Sequence, residues 1–203
     1  MLCSRCLSLL RPVGPPVCAL CGAPTLWPVA RCRECTGRRL AFASARAAVV
    51  YAGPARPLVA AWKEHGLRRA AALAARLVVA AVPRPAADVI AYIPPDPYRL
   101  LRRGDHPARR LAHELARLWG IEVEPLLARA DVRGRTRQAG LARDERARNL
   151  RGAFAATKPA PARVALVDDV YTTGATAAEA AARLAAAGAE HIEVVTFART
   201  VRR

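Results

Sequence analysis

The sequence predicts an α/β protein in which helices flank a parallel sheet, with a small cysteine-rich module in front of it. Two observations carry this prediction. Apolar runs of strand length alternate with helical patterns after residue 41, which is typical of parallel sheets. All six cysteines lie within the first 35 of the 203 residues, in three C-x-x-C pairs. We therefore expect a zinc-ribbon-like module over residues 1–40 and an α/β domain over residues 41–203.

The cysteine pairs predict a structural zinc site. They share one spacing: Cys3 with Cys6, Cys18 with Cys21, and Cys32 with Cys35. One C-x-x-C turn points two thiolates at a tetrahedral centre, and two such turns complete the site. The second and third pairs make the best four-ligand ribbon, because Gly22 eases the turn and ten residues separate the pairs. The first pair either competes with one of these pairs or is half of a second knuckle. The alternative for all six is reduced thiols in a disordered tail.

Strand and helix patterns alternate through the rest of the chain. The expected elements are a strand over 42–53, two helical segments over 55–82 that break near Gly66, a strand over 88–93, a helix over 106–120, a strand over 163–168, a helix over 174–188 and a strand over 191–199. The strands are short apolar runs that end at glycine, proline or charged residues. The helices show apolar residues at helical spacing, such as Leu111, Leu115 and Leu118, and two of them end at a glycine.

Two long segments between these elements are strongly basic. Residues 94–105 form a proline-rich loop, and residues 132–152 are polar and too long for an ordinary connection. Lysine and arginine outnumber acids by 33 to 16, which gives a formal net charge of +17. Such a charge attracts polyanions, although a solvated arginine-rich surface has equal weight. Residues 129–151 contain eight arginines and no aromatic residue, so they support phosphate attraction without base stacking.

The N-terminus lacks the basic and apolar regions of a signal peptide. The most apolar window, Ala70 to Val82, is too short to span a bilayer and contains Arg76. We therefore expect a cytoplasmic protein with no membrane span.

The segment "VALVDDVYTTGAT", Val164 to Thr176, predicts a ligand site at the end of a strand. A loop of small residues that leads into a helix presents backbone N–H groups to a phosphate. Two acids would repel a phosphate, but they would accept hydrogen bonds from hydroxyls attached to it. A vicinal diol beside a phosphomonoester is a ribose 5-phosphate. A Walker loop is excluded, because the segment has no G-K-[ST].

This segment closely resembles the phosphoribosyl-pyrophosphate (PRPP) motif of type I phosphoribosyltransferases. The resemblance implies that Asp168 and Asp169 hold the ribose hydroxyls and act as catalytic residues. It implies a 5-phosphate loop made of Thr172, Thr173, Gly174, Ala175 and Thr176. Magnesium would accompany the PRPP.

Nearly the whole chain is similar to the ComF family of phosphoribosyltransferase-like proteins. The motifs that carry this resemblance occur in the family's order: the cysteine-rich N-terminus, "IPPDPYRLLRRGD", "RTRQAGLARDERARNLRGAF" and the PRPP motif. The resemblance implies a role in natural competence and DNA uptake, with single-stranded DNA and competence-machinery proteins as partners. It also implies a pyrophosphate loop over 94–104 and a flexible hood over 136–151. The hood carries Arg137, which would meet the pyrophosphate, with Gln138 and Asn149 at recurrent positions.

Three departures from relatives of this family bear on activity. Relatives commonly have R-G-F-N-Q where this chain has "RGDHP", and L-K-F where it has "WKE". Lys63 survives in a chain that has only two lysines, which indicates either a phosphate contact or an ordinary surface lysine. Thr172 stands where some relatives have a general-base aspartate. Two hypotheses follow: a phosphoribosyltransferase of unknown acceptor, or a non-catalytic single-stranded-DNA-binding protein with PRPP or a nucleotide as regulatory ligand.

Overall fold

The computed structural model describes residues 3–65, 68–96, 106–130 and 152–201. Its helices are α1 (Ser4–Ser8), α2 (Ala55–His65), α3 (Arg68–Ala81), α4 (Pro107–Trp119) and α5 (Ala175–Ala186). Its strands are β1 (Ser44–Val50), β2 (Val89–Tyr92), β3 (Glu122–Val123), β4 (Leu127–Arg129), β5 (Phe154–Ala156), β6 (Arg163–Tyr171) and β7 (His191–Arg199).

Five strands form one parallel sheet in the order β1–β7–β6–β2–β3. The two longest strands, β6 and β7, are neighbours at its centre. Both faces of β6 are covered, because Ala165 and Val167 pack with one apolar cluster while Val164 and Leu166 pack with the other. This explains the continuous apolar run of β6, which is usual for a strand buried on both faces. The predicted parallel α/β architecture is confirmed.

Helices α2, α3 and α4 cover one face of the sheet, and α5 covers the other together with the cysteine-rich residues. α2 ends at His65 and α3 begins at Arg68, on either side of the predicted break. The predicted apolar face of α4 is wrong at one position, since Leu118 is 49% exposed. The buried residues of this helix are Ala108, Leu111, Ala112, Leu115 and Trp119. The buried face of the helix continues from Leu115 to Trp119, four residues later, and Leu118 lies outside this face.

Two features of the fold have no counterpart in the sequence prediction. β3 extends the sheet by two residues beside β2. β4 and β5 pair antiparallel across the long basic segment, which itself lies outside the described residues. The pairing brings Arg129 to within 4.5 Å of the centre of the Phe154 ring. The pairing therefore brings together the described residues on either side of the basic segment.

The N-terminal residues pack along the edge of the sheet. The N–H of Val13 donates to the carbonyl oxygen of Ala48 at 2.9 Å, and the N–H of Val50 donates to Arg11 at 2.8 Å. Edge strands expose unpaired backbone groups, and this packing covers those of β1. Within the described ranges, no helix is long and apolar enough to cross a membrane.

Candidate ribose-phosphate and metal sites

The acidic pair lies in the part of β6 that extends beyond the end of its neighbour β2. The last pairing on the β2 side joins Tyr92 to Val167, and the N–H of Ile93 donates to the Val167 carbonyl at 3.0 Å. On the other side β7 stays paired with β6 as far as Tyr171. The prediction that the strand ends at Asp168 is therefore wrong, because β7 supports the strand through both acids. The acids nevertheless stand at the carboxyl end of a parallel strand, which is where such sheets bind ligands.

Asp169 forms an ion pair with Lys63. The Nζ atom of Lys63 lies 2.7 Å from Oδ1 of Asp169, and their side chains are 29% and 12% exposed. Lys63 belongs to α2, and the adjacent Trp62 is fully buried and anchors the helix at this point. Lys63 is thus neither an ordinary surface lysine nor distant from the acidic pair. Its predicted contact with a ligand phosphate stays a prediction.

Asp168 has a different environment from its neighbour. Burial and the negative charge of Asp169 raise the pKa of Asp168 to about 7, although Lys63 and Arg129 lower it. Its Oδ1 atom accepts a hydrogen bond from the N–H of Asp169 at 2.8 Å. A carboxyl group with this pKa changes charge near neutral pH. A nearby cation or a hydrogen-bond donor would favour its charged form.

The predicted phosphate loop lies directly before α5. Gly174 is the residue that caps this helix, and its φ of 73° lies in the left-handed region that favours glycine. The hydroxyl of Thr173 accepts a hydrogen bond from the N–H of Ala175 at 3.3 Å. The hydroxyl of Thr200 donates to the carbonyl of Thr172 at 3.0 Å and ties the loop to the end of β7. The loop therefore has the threonine hydroxyls and helix start that an anion site requires.

A small pocket joins the acid and the loop. Asp168, Thr172, Gly174 and Thr176 line it, and Thr196 on β7 completes its wall. Sequence analysis missed Thr196, which is buried and whose hydroxyl donates to the Ala198 carbonyl at 3.2 Å. It pairs in register with Asp168. The signal available in the sequence was a polar residue inside the apolar run of the last strand.

Part of the predicted site lies outside the described residues. This applies to the pyrophosphate loop from residue 97 to 104, with Arg102 and Arg103, and to the hood with Arg137, Gln138 and Asn149. Their roles stay predictions. His106, at the edge of the described part, begins α4 and accepts a hydrogen bond from the N–H of Arg109 at 3.1 Å.

Four cysteines form a cluster with the dimensions of a zinc site. The Sγ atoms of Cys18, Cys21, Cys32 and Cys35 all lie within 4.8 Å of one another. Cys32 Sγ is 3.6 Å from that of Cys21 and 3.9 Å from that of Cys35. Zinc–sulfur bonds of about 2.3 Å in a tetrahedron place the sulfurs about 3.8 Å apart. The cluster therefore fits zinc, as the sequence predicts.

The local structure around the cluster suits bound thiolates. The N–H of Cys32 points at Cys18 Sγ at 3.3 Å. Burial raises the pKa of the Cys18 thiol, but hydrogen bonds from backbone N–H groups, that of Cys21 foremost, outweigh it and lower the pKa to about 7. Gly22 follows with φ of 69°, and a side chain there would overlap the Ala45 carbonyl of β1. The knuckle formed by Cys18 and Cys21 thus requires glycine at position 22 both for its turn and for its contact with the sheet.

Cys3 and Cys6 are not part of this cluster. They lie at the start of α1, where the N–H of Cys6 donates to Cys3 Sγ at 3.4 Å. The structure brings together the second and third pairs, and the chain from α1 runs along β1 before it reaches Cys18. Their assignment as ligands of a second metal stays a prediction.

Comparison with known proteins identifies relatives of the whole chain, although no family model matches it. "Competence protein F" of Haemophilus influenzae is 29% identical over 210 residues, which cover 98% of this chain and 90% of that protein. "DNA utilization protein YhgH" of Salmonella typhi is 31% identical over 212 residues, which cover 98% of this chain and 91% of that protein.

Two solved structures align with part of the chain. One is described as the allosteric regulatory enzyme of purine biosynthesis, at 22% identity and a TM-score of 0.45. The other is glutamine PRPP amidotransferase from B. subtilis in complex with ADP and GMP, at 24% identity and a TM-score of 0.42. Each alignment covers 64% of this chain and 25% of the solved chain. At TM-scores this low the two likenesses carry no argument.

With 31% identity over 91% of DNA utilization protein YhgH, this chain belongs to the ComF family.

Proposed function

We propose that the chain binds PRPP or another ribose 5-phosphate compound between the acidic pair of β6 and the loop before α5. We further propose that it acts in DNA uptake during competence, as the names of its relatives indicate. One observation carries the ligand proposal. The half-buried Asp168 lines a threonine-rich pocket at the start of a helix, and a lysine from another helix holds its buried neighbour Asp169.

Each of these groups has a role toward such a ligand. Asp168 and Asp169 accept hydrogen bonds from the two ribose hydroxyls, because ionised carboxylates are acceptors only. The loop from Thr172 to Thr176 supplies hydroxyl and backbone N–H donors to the 5-phosphate, which the dipole of α5 also favours. Lys63 forms an ion pair with Asp169, and its ammonium would also attract the charge of a ligand phosphate.

Two metals accompany the proposal in different roles. Zinc in the four-cysteine cluster is structural, because four protein thiolates leave no open position for a substrate. Magnesium would arrive with PRPP and neutralise its pyrophosphate, and carboxylate oxygens are the ligands that it prefers.

The proposed reaction is phosphoribosyl transfer to an acceptor that the sequence does not identify. In such a transfer the bond between ribose and pyrophosphate breaks, and the arginines Arg102, Arg103 and Arg137 would stabilise the departing charge. Thr172 cannot act as a general base, so the acceptor must be nucleophilic without one at that position or must bring another base.

Calorimetry with ribose 5-phosphate and with PRPP plus magnesium tests the ligand proposal. We expect binding by the wild type and a loss of about tenfold or more in Asp169→Asn, which keeps the shape and removes the charge. Glu122→Gln is the matched control, because it removes one exposed charge on β3, at the opposite end of the strands. Equal affinities in wild type and Asp169→Asn would show that the acids have another role.

Release of pyrophosphate separates the enzyme from the binding protein. PRPP is incubated with the protein and a panel of bases and amines. A transferase releases pyrophosphate with one acceptor and not with the others, and Asp169→Asn abolishes that release. Binding of PRPP without any acceptor-dependent release would favour the regulatory role.

A second candidate function, binding of single-stranded DNA, has one specific observation in its favour. Leu26 and Trp27 are 87% and 64% exposed on the loop between the two zinc knuckles. Residues 1–40 contain six arginines and one glutamate. An exposed indole beside basic residues is a stacking platform for bases, the feature that the basic hood lacks. This function is compatible with the first, since the two surfaces are formed by different residues.

A further inference from the structure

The guanidinium of Arg199 is buried between the cysteine cluster and the ribose-phosphate loop. Arg199 is the last residue of β7 and is 1% exposed, which is rare for arginine unless its charge is compensated. The proposed function assigns no role to Arg199. A group as costly to bury as this one needs a partner of opposite charge.

One side of the guanidinium contacts both knuckles of the cysteine cluster. Nη1 donates a hydrogen bond to the carbonyl oxygen of Cys21. Nη2 lies 3.9 Å from a carboxylate oxygen of Glu34, the residue before Cys35, and makes no hydrogen bond within the described residues. The cluster therefore offers Arg199 only incomplete compensation from its polar groups.

A cluster of zinc and four thiolates would add negative charge to that of the Glu34 carboxylate. One zinc ion with four thiolates carries a net charge of −2, and three of the four cysteines are almost completely buried. A buried guanidinium beside a buried anion of this kind gains Coulomb energy that it lacks beside neutral thiols. The position of Arg199 is thus expected to depend on metal occupancy.

The other side of the guanidinium contacts the floor of the loop. Its Cζ atom lies 5.3 Å from the centre of the Tyr171 ring, and the two residues are paired across β6 and β7. Tyr171 is 4% exposed and directly precedes Thr172. Its hydroxyl is buried, has no hydrogen-bond partner in the part of the chain that the structure describes, and lies where a side chain on Gly174 would have to sit. The ring therefore supports the loop from below.

We propose that Arg199 and Tyr171 are positioning residues that couple zinc occupancy to the geometry of the Thr172–Thr176 loop. With zinc bound, the guanidinium is held against the cluster and its flat face holds the Tyr171 ring under Gly174. Without zinc, the guanidinium keeps only the Glu34 carboxylate as a counter-charge, and the ring loses its support. This inference rests on the proposed function only for the identity of the ligand.

Hydrogen exchange of the full chain tests the coupling without any ligand. Removal of zinc from the wild type by a chelator is expected to speed exchange of the amides over residues 170–178 by about tenfold, the result of local opening. The amides of α4 serve as the internal control and are expected to stay protected. Unchanged exchange in the loop overturns the proposal. Equal acceleration in α4 also overturns it, because the metal then stabilises the chain as a whole.

Two substitutions separate charge from shape. Arg199→Met keeps an unbranched apolar stem and removes the guanidinium with its charge. The Thr172–Thr176 loop of this variant is expected to exchange fast even with zinc bound, so that the chelator causes no further acceleration. Arg199→Lys is expected to retain zinc but not to restore the loop, because an ammonium has no flat face for the ring. Arg183→Met, on the exposed side of α5, is the matched control. If the loop amides of Arg199→Met stay protected from exchange, Arg199 does not position the loop and the coupling is overturned.

Calorimetry with ribose 5-phosphate then connects the coupling to the site. Wild type that has lost zinc and zinc-loaded Arg199→Met are both expected to bind about tenfold more weakly than the zinc-loaded wild type. If the zinc-loaded wild type does not bind ribose 5-phosphate, the proposed function fails, and the exchange experiment still decides the coupling. If all three bind equally well, the coupling is wrong and the proposed function stands.

Discussion

The two acids of the site are neighbours in sequence but differ in chemistry. Successive side chains of a strand point to opposite faces, so Asp168 and Asp169 meet different surroundings. Asp169 faces α2 and pairs with Lys63, while within the described residues Asp168 has no ion pair. Burial, followed by the charge of Asp169, raises the pKa of Asp168 to about 7. Asp169 is thus paired with a cation, and Asp168 changes charge near neutral pH.

The raised pKa predicts how stability depends on pH. Because the folded state favours protonated Asp168, its contribution to stability is complete below the ordinary pKa of 3.8 and is lost as pH rises to about 7. The free energy of unfolding should fall across this window by at most about 1.4 kcal/mol per pH unit. Asp168→Asn should remove that slope. Urea unfolding of both proteins between pH 4 and 8 measures the difference.

The comparison of the two proteins isolates Asp168 from other acids. A hydrogen bond with Arg163 lowers the pKa of Asp88. This acid therefore affects stability only when the pH falls below 3.8, the ordinary pKa of an aspartate. Its effect is therefore outside the window and common to both proteins. Parallel curves for wild type and Asp168→Asn would contradict the assignment.

The sequence predicted the identity of these residues better than their partners. Two adjacent acids at the end of an apolar run are a local pattern, and local patterns can be read without a structure. The contact of Lys63 with Asp169 joins residues on different elements, so the sequence indicated only that a rare lysine has some specific use. Thr196 was missed for the same reason, because only the register of β6 and β7 brings it to Asp168.

At the scale of elements, the turn between β6 and α5 depends on the packing of Gly174 over Tyr171. The glycine has a positive φ of 73°, and a Cβ atom would also overlap the Tyr171 hydroxyl. Gly120, which ends α4, has nearly the same φ of 65° with nothing within 4 Å of an added Cβ. The two glycines share the backbone requirement and differ in the space around them.

Alanine substitution at the two glycines is therefore a matched pair. Gly120→Ala should cost about 1 kcal/mol of stability for the strained backbone alone. Gly174→Ala should cost about 1–3 kcal/mol more, because a buried ring must shift as well. It should also weaken ribose 5-phosphate binding, which Gly120→Ala should not. Thermal or urea unfolding with calorimetry measures both effects. Equal costs would show that the Tyr171 ring moves aside freely and does not shape the loop.

The sequence predicted the long helices and strands, and it did not predict the shortest strands. The long apolar runs of β6 and β7 and the periodic helices correspond to the predicted segments, with β6 three residues longer than expected at its end. Hydrogen bonds to β7 hold those added residues in the strand, and no local pattern reveals such support. The strands β3, β4 and β5 have two or three residues each, too few for a periodic pattern, and only their pairing defines them.

At the scale of the whole molecule, the charge of +17 is combined with one exposed indole. Of the three tryptophans, Trp27 is 64% exposed, Trp62 is fully buried and Trp119 is 7% exposed. Quenching of tryptophan fluorescence by single-stranded DNA would therefore report on Trp27. The position of this residue in the zinc module gives the DNA hypothesis a defined point of contact.

We expect single-stranded DNA to quench this fluorescence and to bind more weakly as salt increases, because phosphate attraction releases counterions. Trp27→Ala should weaken binding by about 1–3 kcal/mol, the contribution of one stacked base, and leave the salt dependence unchanged. Combined alanine substitution of Arg143, Arg146 and Arg148, in the predicted hood, should flatten the salt dependence and spare PRPP binding. If neither protein differs from wild type, the charge acts diffusely and the DNA function loses its residue-level support.

The packing of the cysteine module onto the sheet was not predictable from its composition. The pattern of three C-x-x-C pairs indicated a separate unit, and the boundary at residue 40 stays a prediction. The structure shows that the first knuckle is bonded to β1: the N–H of Ala45 donates to Leu20 at 2.7 Å, and Arg46 donates to Ala19 at 2.9 Å. A surface-specific contact of this kind depends on shape, which spacing does not encode.

The strand order has a consequence for how the protein is made. β1 pairs with β7, so the first strand of the sheet to leave the ribosome finds its partner only when the last strand has been synthesised. Until then its neighbouring helices have no sheet to cover, and the nascent chain exposes apolar surface in the way that favours chaperone binding. The four cysteines, in contrast, are all synthesised by residue 35 and can bind zinc early. Arg199, at the end of β7, is synthesised long after the cysteines. Its hydrogen bond to the carbonyl of Cys21 then joins the cysteine cluster to the last strand of the sheet.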